Sequence, residues 1–162
     1  MAKVYLICGK ICTGKTYYSN KLKEEISAVI LSPDEATYDL IQNVQGEFYN
    51  MFCDRLLNYL NKKAVEIVKA GTNVIYERGL WSKKEREETK KFFKDNNIDA
   101  ELHYIHVSDD VWKKQIEERN KNVQEGNGGS NFYLDDGLMK KLMLNFEEPN
   151  EDEVDVWYEN NL

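Results

Sequence analysis

Short apolar runs alternate along this chain with longer stretches whose apolar residues recur every three or four positions. Val4-Tyr5-Leu6-Ile7-Cys8 is a continuous apolar run of strand length ending at Gly9. From Lys15 to Ile26 the residues Tyr18, Leu22 and Ile26 fall four apart, on one helical face. Ala28-Val29-Ile30-Leu31 predicts a second buried strand, stopped by Ser32-Pro33-Asp34. Between about Glu47 and Ala70, a long helix is predicted by Phe48, Phe52, Leu56, Tyr59, Leu60, Ala64 and Ile67, with Gly71 as its stop. Asn73 to Tyr76 makes a third strand, leading into Glu77-Arg78-Gly79. Ser82 with Glu85 three residues on is a capping box for the next helix, anchored by Phe92 and Phe93 and broken by Asn96-Asn97. Leu102 to Val107 predicts a fourth strand and Val111 to Asn120 a helix with Trp112, Ile116 and Arg119. Lys121 to Asn131, rich in Asn and Gly, reads as a mobile segment. Leu138, Leu142, Met143 and Phe146 mark a last helix, and Val154 to Tyr158 a closing edge strand.

Strands alternating with helices predict an α/β fold, a parallel sheet between helical layers, formed by residues 1–162 as one domain. Ligands of such sheets bind beyond the carboxyl ends of the strands. The positions that matter are therefore the segment after Cys8, Asp34, Glu77-Arg78 and Ser108-Asp109.

The segment after Cys8 is Gly9-Lys10-Ile11-Cys12-Thr13-Gly14-Lys15-Thr16, a full G-x-x-x-x-G-K-[ST] phosphate-binding loop between strand and helix. Its glycines let the backbone wrap phosphates, and the helix start adds unpaired N–H donors. Lys15 is expected on the β- and γ-phosphates and the Thr16 hydroxyl on Mg²⁺, so the chain is expected to bind a nucleoside triphosphate. Phosphoryl transfer also needs a carboxylate to orient or deprotonate the attacking hydroxyl. Asp34 fits a general base; the same string, Ser32-Pro33-Asp34-Glu35, also reads as a helix start in which Asp34 only caps. Glu77 either assists with Mg²⁺ through water and with substrate, or pairs with Arg78. Arg119 either closes over the triphosphate from a lid or lies on a solvated surface; Lys10 and Lys121 are weaker candidates of that kind.

Acceptor-pocket residues are expected from Thr37 to Phe52 and around Trp81, which either walls that pocket or packs in the core. His103 and His106 fall on opposite faces of one strand and do not make a metal pair. Lys83 to Glu88 reads as a solvated helix face. Cys12 is a tolerated filler of the loop or a redox handle. A net charge of −7 argues against a default affinity for nucleic acid or anionic membrane. The odd cysteine count, three, fits a reducing, cytoplasmic setting, and no apolar run approaches the ~18 residues of a membrane span.

The order of elements resembles a small P-loop kinase of the adenylate-kinase-like class. The likeness extends to small bacterial kinases near zeta toxins, chloramphenicol phosphotransferase and polynucleotide kinase domains. It rests on Ser32-Pro33-Asp34-Glu35, on the string from Val74 to Arg86, on Leu102 to Asn120 ending in Arg119-Asn120, and on Phe146-Glu147-Glu148-Pro149 with Asp152-Glu153. The resemblance implies a three-layer P-loop NTPase fold with a five-stranded parallel sheet in the order 2-3-1-4-5 and a short lid at about residues 120–134. It implies MgATP as donor, a hydroxyl-bearing small molecule as acceptor, and Asp34 as base. Two departures stand out: Glu77 occupies a place where relatives often carry Asp, and no second Arg follows Arg119-Asn120, Lys121 being the only cation there. Rival expectations are a nucleotide-hydrolysing switch that acts through a protein partner, and a kinase for polynucleotides or nucleotide sugars.

Overall fold

The computed structural model describes residues 1–41, 46–129 and 131–161. Strands β1 (Val4–Cys8), β2 (Ala28–Leu31), β3 (Asn73–Gly79), β4 (Ala100–His106) and β5 (Val156–Glu159) form one parallel sheet in the order β2-β3-β1-β4-β5. Helices α1 (Lys15–Ile26), α2 (Pro33–Leu40), α3 (Glu47–Lys69), α4 (Lys83–Asp95), α5 (Asp109–Gln124) and α6 (Asp136–Met143) complete it. This is the three-layer fold and the strand order implied by the resemblance.

Alternation along β1 builds the two cores. Val4, Leu6 and Cys8 face Leu56, Leu60, Ala64 and Val68 of α3 and Phe93 of α4, whereas Tyr5 and Ile7 face Tyr18 and Leu22 of α1. Every residue of β1 is buried, as a central parallel strand requires. The long apolar stripe of α3 is therefore a core face, and the Tyr18-Leu22-Ile26 stripe of α1 is another.

Several boundaries differ from expectation. β2 was expected buried, but it is an edge strand in which only Ala28 is buried and Val29 is 40% exposed. β3 runs on to Gly79, paired through Gly79 with Cys8, so Glu77 and Arg78 lie inside the strand and alternate in facing. α5 continues to Gln124, which makes Lys121 to Gln124 helical rather than part of a mobile segment. β5 begins at Val156, after a 3₁₀ turn at Glu151–Glu153. Phe146 lies beyond α6 and packs on the core instead of extending the helix.

The run Lys83 to Glu88 is not simply a solvated face. The capping box of Ser82 and Glu85 is formed, but Arg86 is only 2% exposed. Its Nε donates to Glu153 at 2.9 Å and its guanidinium to the Glu147 carbonyl at 2.8 Å. A charged residue in an amphipathic run is thereby a buried tie between α4 and the segment leading to β5. No helix among the described residues is long and apolar enough to cross a membrane.

Candidate active site

Gly14 caps α1 in the left-handed conformation, φ 83°, and α1 begins at Lys15, so the last turn of the loop points its N–H groups along the helix axis. A Cβ on Gly9 would lie 2.8 Å from the Ile105 carbonyl oxygen, and one on Gly14 would collide with Asn160. The loop is thus pressed between β4 and the end of β5. Thr13, 1% exposed, donates its hydroxyl to the Lys10 carbonyl at 3.0 Å and holds the bend. Asn160, also 1% exposed, donates from Nδ2 to the Thr13 carbonyl at 2.9 Å, while its own N–H donates to the His106 carbonyl at 2.8 Å. Trp112 donates from its indole to the Ile11 carbonyl at 2.7 Å. Lys10 lies 4.1 Å over the Trp112 ring and pairs with Asp109 at 3.8 Å.

Lys15 donates to the carbonyls of Gly9, at 3.0 Å, and Lys10, at 2.7 Å, so its ammonium sits across the mouth of the loop. Burial pushes its pKa below the ordinary lysine range, and the carboxylates of Glu77 and Asp34 pull it back up. Both carboxylates therefore act on the same ammonium. Thr16 donates its hydroxyl to Glu77. Arg78 does not pair with Glu77: it faces the other way and donates to Thr89 at 2.9 Å.

Asp34 lies in the first turn of α2, but the cap is Ser32, whose Oγ accepts from the Glu35 N–H at 3.3 Å with Pro33 at the first helical position. The Asp34 carboxylate is exposed and is not used for capping. Strand order then explains the convergence. Lys15 and Thr16 follow β1, Glu77 sits near the end of β3 beside it, and Asp34 follows β2 one strand further out.

On the opposite flank, Arg119 of α5 comes to 3.7 Å from Cys12 Sγ at the loop crest, with its guanidinium 5.0 Å from the Phe132 ring. Asn120 exchanges two hydrogen bonds with the Leu134 backbone, at 2.7 and 2.8 Å, and so closes the base of the intervening segment. Lys121 is exposed and pairs with Glu125 at 3.9 Å along its own helix. Burial pushes the Cys12 thiol up, against the pull of Arg119.

Trp81 is half-buried with its ring 6.3 Å from Phe146, a packing contact. His103 and His106 are apart as expected: His103 accepts or donates with the Tyr18 hydroxyl at 2.7 Å, and His106 lies 2.5 Å from Glu159. Among the described residues, no three His, Cys, Asp or Glu side chains gather as a metal-binding group. Of the stretch from Thr37 to Phe52, expected to shape an acceptor pocket, residues 42–45 lie outside the described ones. Sequence reasoning missed Asn160, the pinning role of Asn120, and the loop-bracing role of Trp112. Ser32 before Pro33 was the one missed role with a local signal.

A family model described as an AAA domain matches residues 4–149. A provisionally assigned kinase from Chloroflexus aurantiacus is similar in structure, with a TM-score of 0.72 at 16% identity over 98% of this chain and 86% of that one. The APS kinase of Mycobacterium tuberculosis, solved with AMPPNP and APS, gives 0.66 at 15% identity over 99% of this chain and 90% of that one. A gluconokinase from Sinorhizobium meliloti gives 0.66 at 10% identity over 99% and 83%. At such identities the likeness is one of fold. No curated protein matches the chain.

Proposed function

This chain belongs to the AAA domain family, and on that premise we propose that it is an ATP-dependent phosphotransferase acting on the hydroxyl of a small molecule. The observation that carries this reading is the convergence of Lys15, the Thr16–Glu77 pair and Asp34 at the carboxyl ends of three adjacent strands. A loop that only held a nucleotide would need no carboxylate beyond β2.

The residues fit a magnesium nucleotide. The backbone cradle closes against Ile105 and Asn160 where a Cβ has no room, and a hydroxyl and a carboxylate meet at the helix start. Thr16 would hold Mg²⁺ directly and Glu77 through water; the ion, when bound, neutralises charge on the phosphates. Gly9 to Thr16 bind the triphosphate, and Lys15 exchanges the carbonyls of Gly9 and Lys10 for phosphate oxygens. Asp34 orients the acceptor hydroxyl and takes its proton as the oxygen bonds to the γ-phosphorus. The bond to the β-phosphate oxygen breaks, and ADP leaves. Arg119 bears on the developing charge from α5 at the entry to the lid, residues 120–134, whose base Asn120 pins.

Substitution separates the roles. Lys15→Ala is expected to weaken MgATP binding by at least tenfold in titration calorimetry. Asp34→Asn is expected to keep that affinity while transfer falls by roughly 10²–10⁴-fold. Unchanged ATP affinity in Lys15→Ala removes the loop assignment, and full transfer in Asp34→Asn removes the base. A second reading, a slowly hydrolysing switch acting through a protein partner, is favoured by one observation: Lys121 pairs along its own helix, leaving Arg119 to serve the lid side.

A further inference from the structure

The strand order divides the site into two flanks, and their chemistry differs. Arg119 approaches the phosphate loop from the β4 side, and the loop's own Lys10 is turned to that side, over Trp112 of α5. On the β2–β3 side, where Asp34 and Glu77 stand, the walls are α2 and the opening turns of α3. Between Lys23 and Arg55 the sequence has no Lys or Arg at all, although the chain carries 22. The same interval places Asp34, Glu35 and Asp39 on α2, and Glu47 and Asp54 on α3. The nearest strand cation, Arg78, is turned away onto Thr89.

A second observation concerns shape rather than charge. Aromatic rings stand in solvent on these two helices: Tyr38 is 42% exposed, Phe48 54% and Tyr49 38%. Tyr38 follows Asp34 by one helical turn, so the two share a face of α2, opposite Ala36, which packs on the core. Tyr49 is close enough to Asp34 to feel its charge. Scattered surface aromatics need no explanation, but Tyr38 and Tyr49 beside one carboxylate, with Phe48 exposed next to Tyr49 in sequence, make a ring-bearing wall.

Resting on the phosphotransferase reading, we infer that the acceptor is a cationic alcohol, an amino alcohol or amino sugar, whose hydroxyl meets Asp34 while its ammonium lies against the rings of Tyr38 and Tyr49 within the acidic field of α2. Ring faces attract ammonium groups, and α2 supplies the carboxylates that favour them over neutral analogues. A phosphorylated or carboxylated acceptor meets like charge on this flank with no Lys or Arg from α2 or the opening turns of α3 to receive it. That separates the inference from a polynucleotide or nucleotide-sugar acceptor. The ammonium serves for recognition and the hydroxyl is the nucleophile.

The test uses the full chain with MgATP and matched acceptors: glucosamine, glucose and glucuronate, and 2-aminoethanol, ethylene glycol and glycolate. Acceptor-dependent ADP release is measured for each at low and high salt. The amine in each set is expected to exceed the acid in kcat/KM by at least tenfold, with the margin shrinking as salt rises. In a Glu35→Lys/Asp39→Lys double variant the order of amine and acid is expected to reverse, and Tyr49→Leu is expected to raise KM for the amine more than for the neutral alcohol. Equal or better use of the neutral or acidic member overturns the inference and leaves the phosphotransferase reading standing. ADP release that no member stimulates overturns both.

Discussion

Lys15 holds two carbonyls of its own loop, and that arrangement poises the loop: the phosphate must supply better acceptors than Gly9 and Lys10 do. Arg119 is similarly parked on Cys12 and Phe132. Arg119→Ala is expected to lower the transfer rate on the order of a thousandfold with little loss of ATP affinity, read by single-turnover transfer beside equilibrium binding. An affinity loss as large as the rate loss would place Arg119 in ground-state binding instead. Asn160 works through geometry. Its removal orphans the buried Thr13 carbonyl, so Asn160→Ala is expected to cost about 1–3 kcal/mol in thermal or urea unfolding. The loop and its lysine were legible because their signal is eight consecutive residues. Asn160 was not, because its contact with Thr13 spans 147 positions and nothing in the local pattern sets it apart from the adjacent Asn161.

At the scale of elements, the contrast between α3 and α2 explains what could be read. The stripe on α3 repeats over 23 residues, whereas α2 has eight and buries none of them, so its periodicity carries no signal. Its start was visible in Ser32-Pro33, but the pattern did not separate the capping residue, Ser32, from Asp34, the carboxylate proposed as base. Arg86 was misread because a helical charge run looks alike whether one member points in or out. Against burial, which pushes Glu153 up, hydrogen bonds from Arg86 and the Asn150 backbone hold that carboxyl below its usual range. Arg86→Met is therefore expected to destabilise by about 3–5 kcal/mol, because it leaves Glu153 without its guanidinium. Replacing Glu153 by Gln in the same chain should recover part of that loss. Equal stability of the single and double variants would show that packing, not the pair, is what Arg86 supplies.

For the whole molecule, the alternation of apolar runs fixed the layers and their sequence, while strand order came through resemblance, since spacing alone does not say which strands are neighbours. The same sheet carries a pH response. Burial lowers the His103 pKa against the upward pull of Glu101, and the neutral ring sits between the Tyr18 hydroxyl and Glu101. Folded His103 thus binds fewer protons than an unfolded imidazole, and stability is expected to fall as pH drops below about 6.5. Glu101, held low first by the hydrogen bond from Lys3, adds a loss of the same sign below about 4.5. Urea titrations between pH 8 and 5 should show the first loss in the wild type and not in His103→Gln.

The central claim is that Asp34 turns a nucleotide loop into a donor site for alcohols. It is tested most directly by ADP release with and without an alcohol panel, in the wild type and in Asp34→Asn at saturating MgATP. The account predicts alcohol-stimulated release in the wild type that vanishes in Asp34→Asn while slow hydrolysis persists. Release that ignores the alcohols and is equal in the two proteins would contradict it.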